Sequence, residues 1–333
     1  MQCHTSVSNI EESDTSRMEA SYEGDRKKIS SSSQSQSSTR TQTEIEPVPG
    51  YDPGVLKKIQ GDLNQGEKLL DVWYAQFAEK PLEVRLLLQK PEHFRSLIES
   101  VSPDGVDSRV QITNTRDIPW RWICSLYIVD QDNMPWVGTG WLVGPRTVIT
   151  AGHCVYIHKP KGTTGWARSI DVIPGRNGTV EPQPFGSARA SSPGQLHTID
   201  NWVTRQDRNY DYGAIILPRD QPFGMQNGYF GFASLADAEL NGKTGNIAGY
   251  PLDKGYTTLW FDARGLGQLD RDVIYYTIDT NGGQSGAPVW IIKDGQTYAV
   301  GIHTNGWSGP GNSATRINRP VYDNIRLWKQ EGS

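Results

Sequence analysis

Apolar residues recur along this chain with two different periods, and the change between them divides it. Val55, Ile59 and Leu63 are spaced by four, as are Leu69, Trp73 and Phe77, and Pro91 opens a stretch bearing Phe94, Leu97 and Ile98. Spacings of three and four put side chains on one helix face, so residues 51–100 are predicted to form two or three short amphipathic helices. From residue 120 the pattern changes to short apolar or alternating runs. These are Trp122–Val129, Gly138–Val143, Thr147–Thr150, Ile170–Ile173, Ile199–Val203, Tyr212–Leu217, Asn246–Tyr250, Val273–Ile278, Val289–Ile292 and Tyr298–His303. Gly144-Pro145, Pro174-Gly175, Asn177-Gly178, Asn227-Gly228, Asn241-Gly242 and Asp294-Gly295 supply turns between them. Many short strands with regular turns predict an all-β body, built as barrels or a sandwich. Pro320 then opens a last amphipathic segment with Val321, Ile325 and Trp328 on one face. Residues 1–50 follow neither period, and the run Ser30–Thr39 is almost wholly Ser, Gln and Thr. Such a segment has too little apolar surface to offset the entropy of ordering, and reads as a disordered polar tail. The division is thus a tail over 1–50, a helical segment over 51–100 and a β domain over 101–333.

Composition narrows the function classes. The 33 basic and 37 acidic residues nearly balance at a net charge of −4, with no basic patch for nucleic acid. No apolar run approaches the 18 residues of a membrane-spanning helix. Met-Gln-Cys-His-Thr-Ser-Val-Ser at the start has neither the basic nor the apolar region of a secretory leader. Neither His-x-x-x-His nor Cys-x-x-Cys occurs, so no metal or other cofactor is expected. The three cysteines are too few for a disulfide framework. Cys3 lies in the tail, and Cys124 and Cys154 are expected either as two buried free thiols or as a bridge.

The chemistry concentrates around Asp279-Thr-Asn-Gly-Gly-Gln-Ser285-Gly-Ala-Pro288. Gly283 and Gly286 permit a sharp turn with close approach of backbone to a ligand. Such a turn can aim the N–H groups of Gly283 and Ser285 at one point, as an oxyanion requires. A serine in a Gly-rich turn is most often a turn residue only. As a nucleophile it needs a base, and the base needs an orienting group. Both are found upstream. The β-branched run Thr147–Thr150 ends in Ala-Gly-His153-Cys154, and Asn209-Tyr-Asp211-Tyr-Gly places Asp211 at the mouth of a strand. His4, His93, His158, His197 and His303 lack the Thr-Ala-Gly-His context, and Asp207 does not directly precede the apolar run.

The segments Thr-Ala-Gly-His-Cys, Tyr-Asp-Tyr-Gly-Ala-Ile and Ile-Asp-Thr-Asn-Gly-Gly-Gln-Ser-Gly-Ala-Pro-Val, in that order, resemble the catalytic segments of chymotrypsin-fold serine proteases. The likeness is greatest to the bacterial glutamyl endopeptidases, the V8-like proteases, and runs from about Val101 to the C-terminus. It implies two β-barrels with a C-terminal helix, and an endopeptidase acting on protein or peptide substrates through an acyl-enzyme, here expected to be monomeric. It also implies a propeptide before a mature start at Val101, set against a helical extension that is never removed. Family members are largely exported, whereas the missing leader leaves a cytoplasmic location open. Gln284 stands where trypsin-like zymogens keep an Asp for a freed N-terminal ammonium, so that switch is absent. In animal relatives the Cys equivalent to Cys154 pairs with one about 16 residues earlier, where this chain has Gly138. His303 and Thr280 fall at the family's pocket positions, with Val101 a third contributor through its α-amino group, and imply cleavage after Glu, then Asp. Asp279 supports the alternative of cleavage after Arg or Lys. The remaining alternatives are a catalytically silent protease-like binding module and an esterase on the same fold.

Overall fold

The structure, a computed structural model, describes residues 4–10, 44–45 and 107–333 apart from 180 and 309. The predicted helical segment over 51–100 and Val101 lie outside these residues.

Two barrel-like sheets make up the body, antiparallel except where Gly231–Ser234 pairs parallel with Gln296–Ser308. The first, of eight strands, runs in spatial order Ser6–Ser8, Leu196–Ile199, Gly213–Ile216, Thr147–Thr150, Pro135–Leu142, Ile123–Val129, Ser169–Pro174 and Ala188–Ala190. In the second, Pro288–Lys293, Thr244–Gly249, Leu259–Leu269, Val273–Tyr276, Gly311–Arg316 and Gln296–Ser308 follow one another. Pro288–Lys293 pairs again with Gln296–Ser308 and closes that ring. Gly231–Ser234, Glu44–Ile45 and Val110–Ile112 add to its rim.

Alternation along the strands explains how two cores and a seam arise from one chain. Cys124, Leu126 and Ile128 point into the first barrel with Val148 and Ile215, whereas Ile123, Trp141, Ile149, Ala214 and Ile216 face the opposite way. In the second barrel Val289, Ile291 and Val300 face inward, and Trp290, Ala299 and Ile302 face the seam. Strands such as Thr147–Thr150 and Gly213–Ile216 are buried at every position because both their faces are covered. The seam is aromatic. Trp122 and Trp141 meet Phe230 edge-on at 5.3 and 5.6 Å, and Trp120 meets Phe261 in the same way at 5.2 Å. The C-terminal helix Arg319–Glu331 lays Val321, Tyr322, Ile325 and Trp328 on this seam. Asn318 caps it by accepting from the Val321 N–H, and Pro320 occupies its first turn.

Two readings of the sequence are corrected. Ile199–Val203 is not a strand: the strand Leu196–Ile199 ends there, and Asp200–Arg205 is helical, with Trp202 buried one turn after Ile199 and Gln206 closing the helix in the left-handed region. The tail is not uniformly without structure, because residues 4–10 lie on the first sheet and Glu44–Ile45 pairs with Ala233 and Ser234. An edge strand needs backbone groups and a few polar side chains, not an apolar face, so composition does not reveal it.

Candidate active site

His153 follows the strand Thr147–Thr150 on a one-turn helix, Gly152–Val155. Only glycine fits at 152, because a Cβ there would lie 3.0 Å from both Asp211 Oδ1 and the Tyr212 N. The close approach lets Asp211 hold the histidine twice. Its Oδ1 accepts from the His153 backbone N–H at 2.8 Å, and its Oδ2 accepts from Nδ1–H at 2.8 Å. The Asp211 side chain is 3% exposed and that of His153 is 22% exposed, so the acid is sealed and the ring reaches solvent. Burial by itself would lower the His153 pKa. The charge of Asp211, the neighbouring Cys154 and the Asp211 hydrogen bond together more than offset it and hold the imidazole well above the ordinary histidine value. Asp207, the competing carboxylate, caps the 3-10 turn before Tyr210 by accepting from the Asn209 N–H.

Ser285 lies on the second barrel, in a turn whose geometry is set by glycine. Gly283 has φ +95° and Gly286 φ +89°. A Cβ on Gly283 would lie 2.5 Å from the Tyr250 carbonyl oxygen, and one on Gly286 would fall on the Thr139 carbonyl and the Thr150 hydroxyl. The first barrel grips this turn: the Thr139 hydroxyl donates to the Gly283 carbonyl at 2.8 Å and the Thr139 N–H to the Ser285 carbonyl at 2.9 Å. The thiol of Cys154, next to His153, reaches the same Ser285 carbonyl at 3.8 Å. The Ser285 turn thus lies against the segment that carries His153, which Asp211 holds. The N–H groups of Asn281, Gln284, Gly286 and Ala287 have acceptors, and those of Gly283 and Ser285 have none among the described residues.

Gln284 has a role that sequence reading missed. Its side-chain oxygen accepts from the Asn281 N–H at 2.9 Å and from Arg109 at 3.4 Å. Arg109 is itself buried between Asp107 and Asp253, which neutralise it. Hydrogen bonds and charge from Arg109 and Lys254 hold the Asp107 carboxyl far below the usual range despite its burial. The buried Arg109 guanidinium thus reaches, through the Gln284 side chain, the backbone that opens this turn. Basic residues at ordinary spacing give no sequence signal for this.

Of the residues that the resemblance places in a pocket, His303 is fully buried and its Nδ1 lies 2.6 Å from the Tyr276 hydroxyl. Its backbone is bonded to both residues that follow Ser285, the carbonyl accepting from Gly286 N–H and the N–H donating to Ala287. Thr280 is also fully buried, and its hydroxyl has no partner among the described residues. Asp279 is fully buried, and its Oδ2 accepts from the Ser108 N–H and hydroxyl at 2.8 Å and from Arg264 at 3.2 Å. Cys124 and Cys154 are both buried free thiols, which decides between the two expectations for them.

The trypsin-like peptidase domain family matches residues 138–302. A glutamyl endopeptidase of Bacillus licheniformis is 38% identical over 232 residues, covering 68% of each chain. The chain belongs to the chymotrypsin-fold proteases, close to the glutamyl endopeptidases. An extracellular metalloprotease of Bacillus subtilis is 36% identical over 240 residues, 70% of this chain and 72% of its own length. Among the described residues no group of three or more His, Cys, Asp or Glu is placed to hold a metal ion. A solved structure of a Glu endopeptidase in complex with MPD superposes with a TM-score of 0.58 at 28% identity, over 68% of this chain and 98% of that one. The protein is thus a protease of the trypsin-like family.

Proposed function

We propose that this protease is an endopeptidase in which Ser285 is the nucleophile, His153 the general base and Asp211 the group that orients it. The observation that carries the reading is the double hold of Asp211 on His153 beside the turn bearing Ser285. In this mechanism Ser285 Oγ attacks the scissile carbonyl and His153 Nε2 takes its proton, with Asp211 fixing the Nδ1–H tautomer and stabilising the imidazolium. The Gly283 and Ser285 N–H groups receive the developing oxyanion. His153 then protonates the leaving amine, and water releases the acyl group by the same steps reversed.

Cleavage after Glu, then Asp, is the preferred specificity. Thr280 presents a buried hydroxyl without a partner, and Tyr276 orients the His303 ring through Nδ1; both side chains can donate to a substrate carboxylate. The alternative reading for Arg or Lys needs the Asp279 charge free, and Arg264 already supplies its countercharge. The substrates are exposed peptide segments.

Labelling with a fluorophosphonate, followed by peptide mapping and a peptide-library digest, tests both levels. The expected result is modification of Ser285 alone, abolished in Ser285→Ala, with cuts after Glu. Unlabelled Ser285 with full turnover would overturn the mechanism, and cuts only after Arg or Lys would overturn the specificity while leaving the mechanism in place.

A further inference from the structure

Residues 4–10 are built into the first barrel more thoroughly than a removable leader requires. Ser6–Ser8 pairs antiparallel with Leu196–Ile199 in the register Ser6–Ile199, Val7–Thr198 and Ser8–His197. The pairing extends at both ends, with the Asp200 N–H donating to the Thr5 carbonyl at 3.0 Å and the Asn9 N–H to the Leu196 carbonyl at 3.1 Å. Asn9 also uses its side chain, accepting from the Leu196 N–H and donating to the Ser192 carbonyl. Two side chains of the C-terminal helix find acceptors here. Trp328 Nε1–H donates to Ser6 Oγ at 2.9 Å, and Asn324 Nδ2 donates to the His4 carbonyl at 3.0 Å. The His4 ring then packs at a tilt of 43° against Tyr210 with centroids 4.6 Å apart, and its Nδ1 is hydrogen-bonded to the Tyr212 hydroxyl at 2.9 Å. Tyr210 and Tyr212 flank Asp211. Without this segment the strand Leu196–Ile199 becomes an open edge, Trp328 Nε1–H loses the Ser6 hydroxyl, and both tyrosines lose the His4 ring.

We propose that residues 4–10 are a permanent strand of the catalytic domain that braces the Tyr210-Asp211-Tyr212 turn, so that a chain severed anywhere between residues 11 and 106 keeps them bound without a covalent link. His4 and the strand it leads are positioning elements, acting on the site through Tyr210 and Tyr212. The inference does not rest on the proposed specificity, and its first readout needs no activity.

The test inserts the recognition sequence of a specific protease after residue 20 of the full chain, so that the severed piece lacks the strand Glu44–Ile45, cuts the purified protein, and applies size-exclusion chromatography with intact-mass analysis. The 1–20 fragment is expected to co-elute with the body at micromolar concentration. Val7→Pro, which removes a strand donor and disfavours pairing, is expected to release the fragment after the same cut. The stripped body should show kcat reduced by roughly 5- to 30-fold, the range that one or two kcal/mol of lost bracing represents, with KM little changed. A synthetic peptide of residues 1–12 should restore it. Separation of the wild-type fragment, or its retention despite Val7→Pro, would overturn the strand assignment. Full activity of the stripped body would overturn the bracing role.

Discussion

The two barrels contribute to the site by different means. The first presents His153 and Asp211 through side chains: a sealed carboxylate, an imidazole and two hydrogen bonds of 2.8 Å. The second carries Ser285 through backbone: two glycines at positive φ, a carbonyl gripped by Thr139, and two N–H groups with no acceptor among the described residues. A side-chain device is tuned by charge and therefore by pH. A backbone device is tuned by space, and tolerates no added atom. Substitutions on the two sides should accordingly fail in different ways.

The largest effect is expected from Asp211→Asn. A triad whose base is left in the wrong tautomer loses about 10⁴ in kcat. The variant should also move the pH profile. Asp211 raises the His153 pKa, and activity requires the neutral ring, so the wild-type acid limb of kcat/KM should lie above about pH 6.5. With Asp211 neutralised, the largest raising influence is gone while burial still lowers the pKa, so the limb should shift to lower pH as the rate falls. An acid limb that stays in place would show that His153 is not the titrating base.

On the backbone side, Gly286→Ala should lower kcat by about 10²–10³, the cost of displacing an oxyanion donor, with no shift of the pH profile. Its Cβ would fall on the Thr139 carbonyl and the Thr150 hydroxyl. Gly242→Ala is the control. Gly242 also has a positive φ, +71°, but a Cβ there meets nothing within 4 Å. It should lose about 1–2 kcal/mol of stability in thermal unfolding and keep full turnover. Equal damage from both would mean that conformation, not contact, limits the nucleophile turn.

His303→Ala tests the pocket, where the second barrel does use side chains. Loss of one charge-assisted hydrogen bond, about 1.5–3 kcal/mol, corresponds to roughly 10- to 150-fold in kcat/KM on Glu peptides. Reaction with a small neutral ester should change far less. Asp279→Asn should leave the preference for Glu in place, because Asp279 is occupied by Ser108 and Arg264. Equal losses on ester and peptide would remove His303 from the specificity assignment.

Much of this site was legible because its residues sit in short motifs at strand ends, where a β-branched run followed by small residues marks the boundary. The strands that were missed lack apolar alternation. Gly311–Arg316 has Ala314 as its one apolar side chain, yet is buried at every position, because its neighbours Val273–Tyr276 and Gln296–Ser308 cover it and Asn312 donates to the Ile278 carbonyl. Leu259–Leu269 passes from the core to solvent and bulges between Leu266 and Leu269, which breaks its period. Arg109 and residues 4–10 act through partners more than 140 positions away, and local pattern contains no information about such pairs.

The smallest effect on turnover is expected where the first barrel supports the second from below. A Cβ placed on Gly138 would lie 2.9 Å from Cys154 Sγ, and an S–S bond of about 2.05 Å puts each Cβ ~3 Å from the far sulfur. Gly138→Cys should therefore form a bridge to Cys154 under oxidising conditions. The closed loop spans about 15 residues, for which chain entropy gives about 3 kcal/mol, less any strain at Ile128, whose Cδ1 lies 3.4 Å from the added atom. The bridge removes only the thiol contact to the Ser285 carbonyl, while Thr139 keeps its hold on that oxygen. Thermal unfolding with and without reductant should show a higher midpoint in the oxidised variant, with kcat within about twofold of wild type, as expected for the loss of a weak contact. A bridge that forms and lowers kcat by more than tenfold would mean that the Cys154 thiol, and not Thr139, sets the height of the nucleophile turn.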